Sequence, residues 1–221
     1  MLFRSLAQHV REPLAYVLGE WGFRRLVLRV DPRVLIPRPE TEVVVERCLE
    51  LLAEEAAPRV LDIGVGSGAI ALAIADEHPG ARVVATDNSS GALAVADENR
   101  ARACLTLRVE LVHGELFAGL EGPFDLVVSN PPYVRPEEVG GLEPEVAQFE
   151  PREALIAHGV TEAIVEQALP RLAPRAPLVL ETGDGDARDV AALLAGLGYD
   201  DVWIGEDLAG RERVVDGRAP G

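Results

Sequence analysis

From residue 59 to residue 197, short apolar runs alternate with longer helical patterns, and this alternation constrains the fold more than any other feature. Arg59–Ile63, Arg82–Thr86, Val109–His113, Phe124–Ser129 and Leu178–Thr182 are rich in β-branched residues and read as strands. Ser67–Glu77, Ser90–Ala103, Thr161–Leu172 and Ala187–Leu197 carry apolar residues at helical spacing. Strand, helix and strand in succession close as a parallel unit, with helices covering both sheet faces. Asp201–Ile204 and Arg213–Asp216 follow with no helix between them, so they are expected to pair antiparallel. The expected fold class is α/β, Rossmann-like, with a mostly parallel sheet and an antiparallel last strand.

Upstream, residues 1–18 show helical spacing (Leu2, Leu6, Val10) that ends near Pro13. Phe23–Val30 reads as a strand and Asp31-Pro32 as a turn. Pro37 and Pro39 force extended backbone over Val34–Pro39, because proline fixes its own φ and restricts the residue before it. Glu40–Glu55 is a predicted helix, with Val44, Val45, Cys48, Leu51 and Leu52 on one face.

The first strand-to-helix turn is Asp62-Ile-Gly64-Val65-Gly66-Ser67-Gly68. Its three glycines let the backbone turn sharply and approach a ligand, and ligands in open α/β sheets sit at the carboxyl ends of strands. A dinucleotide loop has the spacing G-x-G-x-x-G; here it is G-x-G-x-G, with Asp62 two residues ahead. An acid there repels pyrophosphate and suits the ammonium of an amino-acid moiety. Asp87 ends the second strand, where a carboxylate can accept both ribose hydroxyls. Together, Asp62 and Asp87 point to S-adenosyl-L-methionine, with S-adenosyl-L-homocysteine as product.

Asn130-Pro131-Pro132-Tyr133 follows the fourth strand directly. The prolines stiffen the loop and remove donors, leaving the Asn130 side-chain oxygen and the Pro131 carbonyl as acceptors. Two fixed acceptors can hold both hydrogens of an NH₂ group and aim its nitrogen at a methyl donor, and Tyr133 offers an aromatic wall for a planar acceptor. The sulfonium leaving group needs no metal, and orientation alone supplies ~7–11 kcal/mol in favourable cases.

The 37 acidic and 21 basic residues give a net charge of −16, which suits a polyphosphate surface poorly, so no direct nucleic-acid binding is expected. The two cysteines and four histidines show no ligand spacing, and no metal site is expected. No apolar run reaches the ~20 residues of a membrane span. Without that or a leader-like start, a cytoplasmic monomer is expected.

With these residues in view, the chain resembles the protein N5-glutamine methyltransferases that modify class-1 peptide chain release factors. The resemblance runs through Pro13–Gly19 with Phe23, Val34–Glu42, the glycine loop, Asn130–Tyr133, Phe149–Leu155 and Gly210–Val214. It implies a seven-stranded class I methyltransferase fold preceded by a β-hairpin that shapes the acceptor pocket. It implies that Gly64 to Gly68, Asp87 and Asn130 bind the cofactor, that Leu116 flanks its adenine, and that Asn130 to Tyr133 bind the glutamine of a Gly-Gly-Gln loop. Phe23 and Arg38 join the expected acceptor site. Arg38, Glu40 and Glu42 either order a pocket lid or, for the two acids, simply suit a helix N-terminus. Glu181 is expected to cap rather than catalyse, and Trp21 to staple the hairpin to the core.

Residues 1–36 are expected to be the hairpin plus the remnant of a helical region that is longer in the family, ahead of a catalytic domain over 37–221. The opening Met1–Ser5 does not look like a natural domain start, which suggests a gene fragment or a misassigned start. The acidic loop of Glu137, Glu138, Glu143 and Glu145 favours a basic partner. Three other readings use the same motifs: glutamine methylation of a ribosomal protein, N6-adenine methylation of nucleic acid, and a non-catalytic S-adenosylmethionine-binding scaffold.

Overall fold

The computed structural model describes residues 11–221. The expected helix over 1–18 lies partly outside this range, and so does the opening Met1–Ser5. Within it, Leu14–Leu18 is helical and ends on Gly19 in the left-handed conformation.

A two-stranded hairpin follows, β1 (Glu20–Phe23) and β2 (Leu26–Arg29), paired antiparallel from Glu20 opposite Arg29 to Phe23 opposite Leu26. The single strand expected over Phe23–Val30 is therefore broken by a turn at Arg24-Arg25. The cause is tertiary. Arg24 takes a positive φ of 48°, its backbone N–H donates to Glu42 Oε1 at 3.0 Å, and its guanidinium pairs with Glu77. Two long-range acids override the local strand pattern.

The main sheet has seven strands: β3 (Arg59–Ile63), β4 (Arg82–Asp87), β5 (Val109–His113), β6 (Leu126–Ser129), β7 (Pro177–Glu181), β8 (Asp200–Glu206) and β9 (Glu212–Arg218). Their order is β5-β4-β3-β6-β7-β9-β8. All neighbours run parallel except β9, which slots between β7 and β8 antiparallel to both. The order reverses between β3 and β6, and this opens a crevice at their carboxyl ends.

Successive residues of the central strands enter opposite layers of core. Val60, Leu126 and Val128 pack with Val44, Val45, Leu72 and Ile74 on one face. Leu61, Val127, Leu178 and Leu180 pack with Ile164, Val165 and Leu194 on the other. Burial on both faces explains why these strands are apolar throughout.

Helix Pro39–Leu51 starts with proline at its first position and places Glu40 and Glu42 in its first turn, where the helix dipole favours acids. Helix Ser90–Arg102 is capped by Ser89, whose Oγ accepts the Ala92 N–H at 3.2 Å. The Pro/Glu-rich stretch after Tyr133 contains a 3₁₀ segment, Pro136–Gly141, and a short helix, Pro144–Phe149. Among the described residues no helix is long and apolar enough to cross a membrane.

Candidate active site

A cavity of about 530 Å³ opens at the carboxyl ends of β3, β4 and β6, within the size range of small-molecule sites. Asp62, Gly64, Val65, Gly66, Ser67, Asp87, Leu116, Asn130, Pro131, Pro132 and Arg38 all line it. Gly68, Tyr133 and Phe23 do not border it.

The glycine loop is held from β4. The N–H groups of Gly64 and Val65 both donate to the Thr86 carbonyl at 2.9 Å, and the Gly66 N–H donates to Asp87 Oδ2 at 2.9 Å. Gly64, Gly66 and Gly68 have φ of 78°, 53° and 89°, a region that side-chain-bearing residues rarely adopt. Gly68 is the cap of helix Ala69–Glu77; a Cβ there would meet Leu72 Cδ1 at 2.8 Å, so its role is helix packing.

Asp87 also accepts the Ser89 N–H through Oδ1 at 2.9 Å. Each oxygen thus has one protein donor and retains acceptor capacity toward the cavity. Burial raises its pKa, and the two backbone N–H groups act against that shift.

Asp62 is fully enclosed by protein. Its Oδ2 accepts the Ala71 N–H at 3.0 Å, while Oδ1 has no hydrogen-bond partner. Burial pushes its pKa up to about 7, and the charge of Asp87 adds to the rise. A buried carboxylate oxygen without a donor is costly, and a cationic group in the cavity would satisfy it.

Asn99 was not singled out from the sequence, yet it joins the hairpin to the glycine loop. Its Oδ1 accepts the Arg29 N–H at 2.6 Å, and its Nδ2 donates to the carbonyls of Arg29 at 3.0 Å and Ser67 at 2.8 Å. Leu116 adopts φ of 51°, and its carbonyl accepts the Thr86 hydroxyl at 3.0 Å.

Asn130 lies at the end of β6. Its Nδ2 donates to Thr41 Oγ1 at 3.3 Å. Behind them is Glu181, 2% exposed at the end of β7. Burial pushes the Glu181 pKa up to about 7, opposed by hydrogen bonding from Thr41 and Asn130. An acceptor at the back of this chain orients the amide nitrogen of Asn130 inward and leaves its oxygen to the cavity. Tyr133 stands one step behind the Pro131-Pro132 wall, with Gly183 beside its ring: a Cβ there would lie 3.3 Å from Tyr133 Cδ2. Burial, with the Glu181 charge adding, pushes its hydroxyl pKa up to about 12.

Arg38 reaches across the cavity entrance. Its Nη2 donates to both oxygens of Glu150, at 2.8 and 2.7 Å. Glu150 is buried, and burial raises its pKa despite Arg38. Glu40, two residues further, accepts Arg211 Nη2 at 3.0 Å. Arg38 and Glu40 thus order the segments around Glu150 and Arg211, and Glu42 holds the hairpin turn.

Phe23 is 2% exposed and packs in the core with Leu28, Val44 and Leu72, so its expected place on the acceptor wall is corrected. Trp21, two residues earlier on the same face of the strand, packs against the cluster of Ala15, Tyr16 and Val34.

Comparison with known proteins agrees with this architecture. The methyltransferase small domain family matches residues 43–148. The release factor glutamine methyltransferase of Caulobacter vibrioides is 42% identical over 212 residues, covering 94% of this chain and 73% of that protein. That of Geobacter sulfurreducens is 44% identical over 213 residues, with 94% and 74% covered. Among solved structures, the release factor-specific protein-(glutamine-N5) methyltransferase of Alicyclobacillus acidocaldarius superposes with a TM-score of 0.54 at 31% identity, covering 88% of this chain and 100% of that one. At this identity and coverage, the chain belongs to the release factor glutamine methyltransferase family.

Proposed function

We propose that this enzyme transfers a methyl group from S-adenosyl-L-methionine to the side-chain amide nitrogen of a glutamine, in the Gly-Gly-Gln loop of a class-1 peptide chain release factor. The observation that carries this reading is the orientation of Asn130, whose amide nitrogen is engaged by Thr41 and whose oxygen is left to the cavity.

An amide nitrogen is a weak nucleophile because its lone pair is delocalised into the carbonyl. The Asn130 oxygen and the Pro131 carbonyl accept its two hydrogens, raise its electron density and fix its direction of attack. Orientation is the main contribution such a site can make. The cofactor, when bound, supplies an electrophilic methyl on a sulfonium that leaves readily. Asp62 would hold its ammonium, Asp87 its ribose hydroxyls and Leu116 one side of its adenine. The unpartnered Asp62 Oδ1 supports this fit, because it is an acceptor awaiting a cation. Pro132 flanks the glutamine where the cavity wall ends, with Tyr133 backing it.

Among the described residues, the helix Leu14–Leu18 and the hairpin Glu20–Arg29 lead into Arg33–Leu35, which line the cavity. The acidic segment Glu137–Glu145 favours a basic protein partner over nucleic acid.

The test is methyl transfer from labelled S-adenosyl-L-methionine to a purified release factor, with Asn130→Ala as control. Label on the Gly-Gly-Gln glutamine, lost in Asn130→Ala, supports the proposal. Label on RNA or on a ribosomal protein, with none on the release factor, rejects it.

A further inference from the structure

At the opposite end of the same strands, a second cleft of about 430 Å³ lies at the amino ends of β3, β4 and β5. Four arginines border it, Arg59, Arg82, Arg100 and Arg108, against a single acid, Glu110. In a chain of net charge −16 this local excess of cations is a reversal of sign.

How these arginines are bonded matters more than their number. Arg59 donates only through Nη1, to the carbonyls of Glu121 at 3.0 Å and Pro123 at 3.1 Å, and its guanidinium lies 4.2 Å from the Phe124 ring centroid. Arg82 donates through Nη1 to the Leu107 carbonyl at 2.7 Å. Arg108 donates through Nη1 to the carbonyls of His78 at 3.3 Å and Pro79 at 3.1 Å.

In each of the three, the Nε–Nη2 edge makes no hydrogen bond to another described residue, and no described carboxylate forms an ion pair with the guanidinium, although Asp125 accepts the backbone N–H of Arg59 at 2.7 Å. That edge is the fork that pairs bidentately with carboxylate or phosphate oxygens. Arg100 shows the contrast: its Nε and Nη2 both sit on Asp97 Oδ1, at 3.1 and 2.5 Å. Anchoring by Nη1 also removes part of the side-chain entropy that an exposed arginine loses on binding an anion.

We propose that this cleft is an anion site for a small molecule carrying a chain of phosphates, separate from the methyl-transfer cavity. A polyphosphate fits better than a single carboxylate, because its anionic oxygens are spread over several phosphoryl groups, as the arginines are spread along the cleft. The cleft is of small-ligand size, with Glu110 on its rim limiting how many anionic groups it takes.

The probe is inorganic tripolyphosphate, which lacks the adenine that the methyl-transfer cavity would recognise, titrated calorimetrically into the full chain with sulfate as a reference. Saturable binding that weakens as salt rises is expected. Arg82→Gln and Arg108→Gln should each reduce affinity about tenfold, the loss expected for one charge-assisted contact. Arg82 is exposed, so Arg82→Gln should fold normally and retain methyl transfer to the release factor. Saturating S-adenosyl-L-homocysteine should leave tripolyphosphate binding unchanged. Absence of saturable binding, competition by S-adenosyl-L-homocysteine, or affinity unaltered in both variants would each overturn the proposal. So would binding of an RNA hairpin to these arginines with no binding of tripolyphosphate.

Discussion

Asn130 turns its amide nitrogen onto Thr41, with Nδ2 3.3 Å from Oγ1, and so presents its oxygen to the cavity. Thr41 is 4% exposed and belongs to the helix that begins at Pro39, far from Asn130 in sequence. Removing the hydroxyl deletes the acceptor that decides which way the amide points. Thr41→Val should therefore lower kcat about ten- to hundredfold, the range for one lost buried hydrogen bond. The KM for S-adenosyl-L-methionine should change little, and Thr41→Ser should recover most of the loss. Equal loss of kcat in the serine and valine variants would show that the hydroxyl does not orient Asn130.

Glu181 stands behind the same pair, buried and with one oxygen unpartnered. Its pKa is pushed up to about 7, so it gains charge as pH rises through that value. A charged Glu181 accepts from Thr41 more strongly than a neutral one. The kcat of the wild type should rise with pH through about 7, and Glu181→Gln should flatten that limb of the profile. A Gln variant with the wild-type profile would assign the limb to another group.

The pairing of Arg38 with Glu150 draws two proline-flanked segments together over the cavity. Removing Arg38 leaves a buried carboxylate without its cation. A broken buried pair costs ~3–5 kcal/mol, but Arg38 is 30% exposed, so solvent screening reduces the expected loss to about 1–3 kcal/mol. Arg38→Met should lower the urea midpoint accordingly and speed proteolysis between Tyr133 and Leu155. Arg38→Met with Glu150→Gln should recover much of the loss, because no buried charge is then left alone. Additive destabilisation in the double variant would mean the two side chains act independently.

The central strands β4, β3, β6 and β7 were legible because burial on both faces makes them mostly apolar. The glycine loop and Asn130–Tyr133 were legible because their backbone demands leave few residue choices. The turn at Arg24 was not, since Glu42 and Glu77, distant in sequence, hold it. Asn99 was hidden in the polar run Asp97–Arg102, which reads as a solvated helix face, although three of its hydrogen bonds reach the hairpin and the glycine loop. An aromatic such as Phe23 suits a pocket wall or a core equally well, and only the packing of the hairpin against the main domain decides between them.

That packing makes a direct prediction. Phe23→Ala empties a fully packed site and should destabilise the protein by ~3–5 kcal/mol, as large-to-small core changes do. Phe23→Leu keeps most of the volume and should retain kcat and the KM for the release factor, because the ring does not touch the cavity. A Leu variant that is stable but has a raised KM for the release factor would return Phe23 to the acceptor wall.

The last prediction concerns Asp62. Burial raises its pKa from 3.8 to about 7, so the folded protein holds this proton at pH values where the unfolded chain has released it. The sign follows from linkage: stability from this group is complete at pH below 3.8, is lost as pH rises to about 7, and levels off above that. Asp87 and Glu181, also raised by burial, contribute in the same direction, so only the difference between wild type and Asp62→Asn isolates this residue. An ammonium placed against Oδ1 stabilises the charged form and lowers its pKa. Binding of S-adenosyl-L-homocysteine near pH 7 should then release a fraction of a proton, measured as a dependence of the calorimetric enthalpy on buffer ionisation enthalpy. Affinity should fall as pH drops below about 7. Asp62→Asn should bind more weakly, release no proton and be more stable than the wild type without ligand at pH 8, a value above the raised pKa. Undiminished proton release in Asp62→Asn would remove Asp62 from the ammonium site and leave Asp87 as the titrating group.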